Sequence, residues 1–144
     1  MKIGFIGLGN VGSKIAKNLI NNGFKLTVLD LNETLSTSFE DIGAKWASSP
    51  KELAIHSEMI ITCLPSPKAC SDVMEGEEGI IKGLSKGKIW AEMSTTDFEE
   101  VKRIGNLVSA VSGEPMDCPV SGGCHRAATG NISIFAGTQR ETFE

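Results

Sequence analysis

The chain begins with an apolar segment, Lys2–Ile6, that runs directly into the sequence GLGNVG at residues 7–12. Apolar side chains then recur every four residues from Val11 to Leu19, which predicts an amphipathic helix over 10–22. The pattern G-x-G-x-x-G between a strand and a helix is typical of a turn that binds the pyrophosphate of a dinucleotide. Such a turn lies in a strand–helix–strand unit, in which the two strands are parallel.

Each glycine of this turn has a separate physical role. At Gly7 the missing side chain permits a tight turn out of the strand, and at Gly9 it lets a pyrophosphate approach the backbone. At Gly12 it permits close packing of helix against strand. The first helical turn presents unpaired N–H groups and the positive end of the helix dipole to the anion. The alternative is a glycine-rich turn that binds no ligand, and the order Gly12-Ser13-Lys14 excludes a P-loop.

The second apolar segment, Phe24–Leu29, ends at an acidic residue, Asp30. A carboxylate at this place accepts hydrogen bonds from the adenosine ribose 2′-hydroxyl and repels a 2′-phosphate. The next residues, Leu31 and Asn32, supply no basic side chain to hold such a phosphate. The sequence therefore predicts NAD as the cofactor in preference to NADP. The alternative for Asp30 is a solvated acid at the strand end or the N-cap of the next helix.

Short apolar segments alternate with amphipathic segments along the rest of the chain, with no repeat and no linker. The run Met59–Leu64 is almost wholly apolar, as in a strand covered on both faces. This alternation predicts an α/β fold of the Rossmann type, with a doubly wound, mostly parallel sheet over residues 1–144. Further strands are predicted at 45–47, 59–64, 88–93, 116–118 and 132–136, and further helices at 33–41, 68–74, 97–111, 138–143 and from residue 50 onward.

Charge and composition restrict the partners that the chain can have. It has 14 basic and 18 acidic residues, and the resulting net charge of −4 disfavours binding to nucleic acid or to an anionic membrane surface. Its longest apolar stretch is too short to span a membrane. The four cysteines show no C-x-x-C spacing, and with only two histidines they predict no metal site. We expect reduced thiols, a cytoplasmic location and a small-molecule partner.

Three more segments end or follow predicted strands and are expected at the same edge of the sheet. These are Leu64-Pro65, the sequence EMST at residues 92–95, and the sequence DCPVSGG at residues 117–123. Ligands of open α/β sheets bind where the carboxyl ends of the strands meet. Together with the glycine turn, and in this order, these segments resemble the β-hydroxyacid dehydrogenase family. That family includes 3-hydroxyisobutyrate dehydrogenase, tartronate semialdehyde reductase and, more distantly, 6-phosphogluconate dehydrogenase.

The resemblance implies an oxidoreductase that transfers a hydride between a nicotinamide cofactor and a short β-hydroxy acid or semialdehyde. It places Leu64 and Pro65 along the path of the cofactor and Thr95 near the nicotinamide. The implied cofactor-binding residues are Gly7, Leu8, Gly9, Asn10, Val11, Gly12, Asp30, Leu64, Pro65 and Thr95. The implied substrate-binding residues, which would hold a carboxylate, are Ser121, Gly122 and Gly123. The alternative for this last set is an ordinary turn.

The sequence departs from the family pattern at several positions. Glu92 stands where the family usually has Asp, and Cys118 stands where it usually has Ala. The run CHR at residues 124–126 is bulkier than the small residues common there and brings a cation towards the implied substrate site.

The family's proton-transfer lysine, in a K-x-x-x-N pattern on a later helix, has no counterpart in residues 1–144. We therefore expect this chain to be the NAD(P)-binding domain, to end before the family's helical second domain, and to bind without appreciable turnover. The alternatives are a non-catalytic dinucleotide-binding sensor or interaction module, and a structural domain that binds nothing. A homo-oligomer is compatible with each of them, because an isolated domain exposes apolar surface.

Overall fold

Strands and helices alternate along the chain as the apolar segments predict. The structure, a computed structural model, describes all 144 residues. The strands are β1 (Lys2–Ile6), β2 (Lys25–Leu29), β3 (Lys45–Trp46), β4 (Met59–Thr62), β5 (Ile89–Glu92), β6 (Glu114–Asp117), β7 (Val120–Ser121) and β8 (Ser133–Ile134). The helices are α1 (Gly12–Asn21), α2 (Ser36–Glu40), α3 (Pro50–His56), α4 (Pro67–Glu75), α5 (Phe98–Ala110), α6 (Gly123–Thr129) and α7 (Arg140–Phe143), and short 3-10 turns lie at Glu33–Leu35 and Ile80–Gly83.

Six of the strands form one parallel sheet in the order β3-β2-β1-β4-β5-β6. From β1 the chain moves outward to β2 and β3, and it then crosses over to β4, β5 and β6 on the other side. The strand order therefore reverses between β1 and β4, where open α/β sheets form a crevice at their carboxyl ends. The predicted fold class, a doubly wound Rossmann-type sheet, is confirmed.

Two hydrophobic clusters, one on each face of the sheet, form the core. Neighbouring residues of one strand belong to different clusters: Phe5 packs in the first and Ile6 in the second, and on β4 Ile61 and Ile60 divide in the same way. Adjacent side chains of a strand point to opposite faces, so both faces are covered. This explains the almost unbroken apolar run at the fourth strand.

Polar residues before three helices fix where those helices begin. The side chains of Ser49, Ser66 and Asp97 each accept a hydrogen bond from a backbone N–H three residues later, at 2.9–3.1 Å. Such N-caps satisfy donors that the first helical turn leaves free. α3 and α4 also have proline in their first turn, where no N–H is needed.

The last quarter of the chain differs from the sequence prediction. The predicted strand at 132–136 is present only as β8, which pairs antiparallel with β7 in a separate two-stranded sheet. Between them lies α6, a helix that the sequence patterns did not predict. The edge strand β6 begins at Glu114, two residues earlier than expected. No helix of the chain combines the length and the apolar character needed to cross a bilayer.

Candidate cofactor-binding site

A cleft of about 900 Å³ lies at the carboxyl ends of β1, β2, β4 and β5, where the strand order reverses. The sequence-predicted residues that line it are Gly7, Gly9, Asn10, Val11, Gly12, Asp30, Leu64, Pro65, Thr95 and Gly123. They come from five separate segments. Four of these meet because they follow strands of the parallel sheet, whose carboxyl ends share one edge, and the fifth is the start of α6. Leu8, Ser121 and Gly122 are the sequence-predicted residues that do not line the cleft.

The three glycines of the turn have different surroundings. Gly7 has a φ of +98°, and a Cβ there would lie 2.2 Å from the carbonyl oxygen of Cys63. A Cβ on Gly12 would lie 2.0 Å from the carbonyl oxygen of Gly7. A Cβ on Gly9 would have no atom within 4 Å, because this residue faces the open cleft. The turn thus requires glycine sterically at two positions and leaves free space at the third.

The first residue of α1 and the residues just before it face the cleft, and their backbone N–H groups are free. The N–H groups of Gly9, Asn10, Val11 and Gly12 donate no hydrogen bond within the chain. The first hydrogen bond of the helix runs from the N–H of Ser13 to the Gly9 carbonyl, at 3.0 Å. No side chain caps the helix. Four free donors at the positive end of a helix dipole form a favourable environment for an anion.

The carboxylate of Asp30 holds the glycine turn against the end of β2. One of its oxygens accepts a hydrogen bond from the N–H of Leu8 at 2.7 Å, and the other from the N–H of Asn32 at 2.8 Å. A carboxylate oxygen has further acceptor capacity, so a ribose hydroxyl remains an available partner. The next turn is capped by Asn32, which accepts from the N–H of Thr34 at 3.2 Å, and not by Asp30.

Leu8 takes part in this arrangement only through its backbone. Its side chain is 3% exposed and packs in the core cluster on the α1 side of the sheet. The structure therefore turns the Leu8 side chain away from the cleft, although the sequence pattern had placed Leu8 among the cofactor-binding residues.

The lining of the cleft contains acids but no base. Asp30, Glu33 and Asp72 line it, whereas no Lys, Arg or His does. Asp72 is paired with Lys68 across one helical turn of α4, at 2.7 Å. An anion in the cleft would depend on the backbone donors of α1 for its stabilisation, since no basic side chain faces it.

A hydrogen-bonded link joins the ends of β4 and β5 beneath the cleft. The N–H of Leu64 donates to the Ser94 hydroxyl at 2.7 Å, and the N–H of Ser94 donates to the Glu92 carboxylate at 2.7 Å. The hydroxyl of Thr95 donates to the Val120 carbonyl on β7 at 3.4 Å. The sequence had predicted Leu64 and Thr95 but gave no role to Ser94 or Glu92. The sequence could not predict the roles of Ser94 and Glu92, because these roles depend on the register between β4 and β5 that places Thr62 beside Glu92.

The thiol beside the cleft is held in its protonated form. Burial, followed by the nearby Glu92 carboxylate, raises the pKa of Cys63 to about 11. Cys118, at the end of β6, has a pKa raised to about 11 by burial and then by Asp117. A thiol nucleophile needs its thiolate at working pH, so neither cysteine has the properties of one.

The segment implied to bind substrate lies beside the cleft and leads into α6. Ser121 ends β7 and is exposed, Gly122 has a φ of +128°, and Gly123 has a φ of +69° and lines the cleft. A Cβ at Gly122 would lie 2.7 Å from the side chain of Arg126. The turn therefore brings the first residue of α6 to the cleft and places Ser121 at its edge.

Comparison with known proteins identifies the family. Residues 2–144 match the family model described as the NAD binding domain of 6-phosphogluconate dehydrogenase. The chain belongs to this family. The resemblance predicted from the four sequence segments is thus confirmed, and the chain is an NAD(P)-binding domain of an oxidoreductase family.

Curated relatives of this domain family include dehydrogenases and a nuclear factor. The chain is 38% identical over 141 residues to mitochondrial 3-hydroxyisobutyrate dehydrogenase from Mus musculus, covering 98% of this chain and 42% of that protein. It is 31% identical over 143 residues to the cytokine-like nuclear factor N-PAC from Danio rerio, covering 99% of this chain and 31% of that protein. The chain spans less than half the length of these relatives. The mouse protein is named mitochondrial, and the cytoplasmic location of this chain stays a prediction.

Solved structures of the family share the fold closely. Psf3 in complex with NADP+ and 2-OPP is 25% identical, with a TM-score of 0.93 over 98% of this chain and 50% of that one. The 3-hydroxyisobutyrate dehydrogenase of Mycobacterium tuberculosis, solved with L-serine, is 22% identical, with a TM-score of 0.91 over 99% of this chain and 48% of that one. At 22% identity the likeness establishes the fold alone.

Proposed function

We propose that residues 1–144 are the NAD-binding domain of an oxidoreductase that transfers a hydride between nicotinamide and a short β-hydroxy acid or semialdehyde. The observation that carries this proposal is the set of four free backbone donors at the start of α1, which open into an acid-lined cleft. A dinucleotide supplies the anion that these donors lack, and when bound it supplies the hydride acceptor or donor. The 38% identity to a dehydrogenase supports the same reading.

We assign the residues of the cleft to parts of the cofactor from their order along the sheet. The N–H groups of residues 9–12 hold the pyrophosphate. Asp30, beside them at the end of β2, accepts from the adenosine ribose. The other half of the dinucleotide lies on the opposite side of the turn, along Leu64, Pro65 and Thr95 at the ends of β4 and β5.

A candidate binding site for the substrate carboxylate lies next to the nicotinamide half of the dinucleotide. Ser121 offers a hydroxyl, and the backbone N–H groups of Gly122 and Gly123 are free of intramolecular hydrogen bonds. Arg126, exposed on the first turns of α6 with its stem against Gly122, adds a positive charge at the same edge. These groups suit a carboxylate of a small hydroxy acid.

Proton transfer is the step that residues 1–144 do not supply. The cleft lining has no Lys or His, and the thiol of Cys63 stays protonated at neutral pH because burial raises its pKa. General acid–base catalysis requires a group within hydrogen-bond reach of the reacting oxygen. We therefore expect the 144-residue chain to bind cofactor without substrate-dependent turnover, and the complete active site to include a proton-transfer group from outside these residues.

NAD is the preferred cofactor in this proposal because of the charges around Asp30. A 2′-phosphate would lie beside the carboxylates of Asp30 and Glu33, with no basic residue in the lining to pair with it. Leu31, which follows Asp30 in the sequence, is fully exposed and apolar. Psf3 was solved with NADP+, so we expect the residues at the end of β2 to set the preference in each protein.

Titration calorimetry of the 144-residue chain with NADH and with NADPH tests the proposal. We expect NADH to bind about tenfold more tightly or better, since like charges in contact are strongly unfavourable. Asp30→Ser should reduce this preference, and Glu77→Gln, which removes an exposed acid away from the cleft, should leave it unchanged. Absence of binding by either dinucleotide to the folded chain would refute the function. Formation of NADH on addition of β-hydroxy acids would refute the expected lack of turnover.

A non-catalytic dinucleotide-binding module is the second candidate, and the similarity to N-PAC, which is named a nuclear factor, favours it. Both candidates predict cofactor binding. Sequencing the gene beyond these residues distinguishes the two candidates. A following helix with a K-x-x-x-N pattern supports the enzyme. A full-length product that binds cofactor but lacks such a pattern supports the non-catalytic module.

A further inference from the structure

A carboxylate without a counter-cation lies beneath the cleft at the end of β5. Glu92 is completely buried, and one of its oxygens accepts hydrogen bonds from the Thr62 hydroxyl at 2.7 Å and from the Cys70 thiol at 3.1 Å. The other oxygen accepts from the N–H of Ser94 at 2.7 Å. None of the five ion pairs of the chain includes it. Buried carboxylates are rare unless they are paired, so this one needs an explanation.

The hydrogen-bond directions around Glu92 are those of an anion site. The indole N–H of Trp90 donates to the Thr62 oxygen at 2.9 Å, which leaves the Thr62 hydrogen to point at Glu92. Together with the Ser94 N–H and the Cys70 thiol, every neighbour of the carboxylate donates to it. Protein dipoles therefore take the place of water around the charge, and none of them neutralises it.

The electrostatic influence of this carboxylate extends to the cleft. Cys63 lines the cleft, and Glu92 is the second cause, after burial, of its raised pKa. Asp117, beside Glu92 in the register of β5 and β6, also has a raised pKa from burial and then from Glu92. No basic side chain lines the cleft to offset this charge, and Arg126, at the edge of this half, is exposed to solvent. Arg103, on α5, is already bound to Glu75 and Glu100.

The half of the cleft above Glu92 is the half assigned to the nicotinamide nucleotide, because Asp30 and the glycine turn take the rest of the cofactor. The oxidised nicotinamide ring carries one positive charge, and the reduced ring carries none. We propose that Glu92, through its buried negative charge, makes this half of the cleft bind the oxidised nicotinamide ring in preference to the reduced ring. This inference rests on the proposed function. Glu92 does not touch the ring; it acts through the field at the ends of β4 and β5.

Calorimetry with three ligands separates this electrostatic role from a structural one. In Glu92→Gln the shape of the side chain and the acceptor for the Ser94 N–H remain, while the charge is lost. We expect the affinity for NAD+ to fall roughly threefold to tenfold relative to that for NADH, as for removal of one charge that acts on a cation through the protein without touching it. ADP-ribose, which lacks the nicotinamide, should bind with unchanged affinity. Glu92→Asp keeps the charge and should keep the wild-type ratio of NAD+ to NADH affinity.

Glu77→Gln is the matched control, because it removes one acid that is exposed and lies outside the cleft; it should not change the ratio. The proposal is overturned if folded Glu92→Gln retains the wild-type ratio, or if all three ligands weaken equally, since the latter is the signature of a structural role. The wild-type chain provides a test that needs no substitution. It should bind NAD+ at least as tightly as NADH, and a preference for NADH of about tenfold, or 1.4 kcal/mol, overturns the proposal. Failure of every ligand to bind the wild-type chain would instead refute the proposed function.

Discussion

Gly9 and Gly12 belong to one turn but differ in the space around them. A methyl group at Gly12 would meet the Gly7 carbonyl oxygen at 2.0 Å and the ring of Phe5 at 3.3 Å, whereas one at Gly9 would meet nothing within 4 Å. We expect Gly12→Ala to lower the free energy of unfolding by about 2–3 kcal/mol, because backbone must move. Gly9→Ala should change it by less than about 0.5 kcal/mol.

The same pair of variants tests where the pyrophosphate lies. In Gly9→Ala the added methyl group occupies cleft space, so NADH affinity should fall although stability is retained. Urea unfolding and calorimetry on each variant give the two quantities. An unchanged affinity in Gly9→Ala would show that no ligand approaches this residue, and equal losses of stability in both variants would contradict the packing at Gly12.

One side chain of α1 donates hydrogen bonds to the end of α6. The amide nitrogen of Asn18, on α1, donates to the carbonyl oxygens of Ala127 at 2.6 Å and Ala128 at 3.1 Å, at the end of α6. These carbonyls belong to the last turn of a helix, where backbone donors are few, and the Ala127 carbonyl also accepts from the N–H of Gly130 at 3.4 Å. The helix of the glycine turn thus positions the segment that carries the candidate binding site for the substrate carboxylate.

Asn18→Ala should loosen α6 selectively. We expect hydrogen-exchange protection in residues 124–129 to fall by about 1–2 kcal/mol, since two carbonyl acceptors at the end of α6 lose the Asn18 donor. Asn22→Ala is the control, because the Asn22 amide donates only to the Asn18 carbonyl within α1. Mass spectrometry of exchanged peptides measures both variants, with a β1 peptide as internal reference. Equal protection of α6 in the two variants would contradict the role of Asn18.

Long-range contacts explain which elements the sequence did not predict. Four strands of the parallel sheet, β1, β2, β4 and β5, are four or five residues long and mostly apolar, so they can be recognised locally. By contrast, α6 has seven residues and depends on Asn18, far away in the chain, while β7 and β8 have two residues each and exist through their pairing. The sequence therefore predicted a strand correctly within residues 132–136, but this strand lies outside the main sheet.

At the scale of the whole molecule, the topology explains how well the sequence predicted the cleft. All the predicted cofactor-binding residues except Leu8 line it, because each follows a strand whose carboxyl end lies at the same sheet edge. Their bonding roles were not predictable. The support of Leu64 by Ser94, and of Ser94 by Glu92, depends on the register between β4 and β5, which no local pattern encodes.

Because three thiols are buried, the stability of the whole molecule should decrease at alkaline pH. Burial raises the pKa of Cys63 and Cys118 from 9.0 to about 11, and that of Cys70 further, whereas Cys124 is exposed. Between these values the unfolded chain loses protons that the folded chain retains, so the free energy of unfolding falls as pH rises from 8 to 10.

The thiol of Cys118 accounts for one measurable part of that fall. For a single group with these pKa values, the loss between pH 8 and pH 10 is about 1 kcal/mol. The decrease in Cys118→Ala should therefore be smaller than in wild type by this amount, and the decrease in Cys124→Ala should match wild type. Urea unfolding at the two pH values measures each difference. Identical pH dependence in the two variants would mean that the Cys118 thiol ionises as readily in the folded protein as in the unfolded chain. That result is incompatible with the 3% exposure of Cys118, which follows β6.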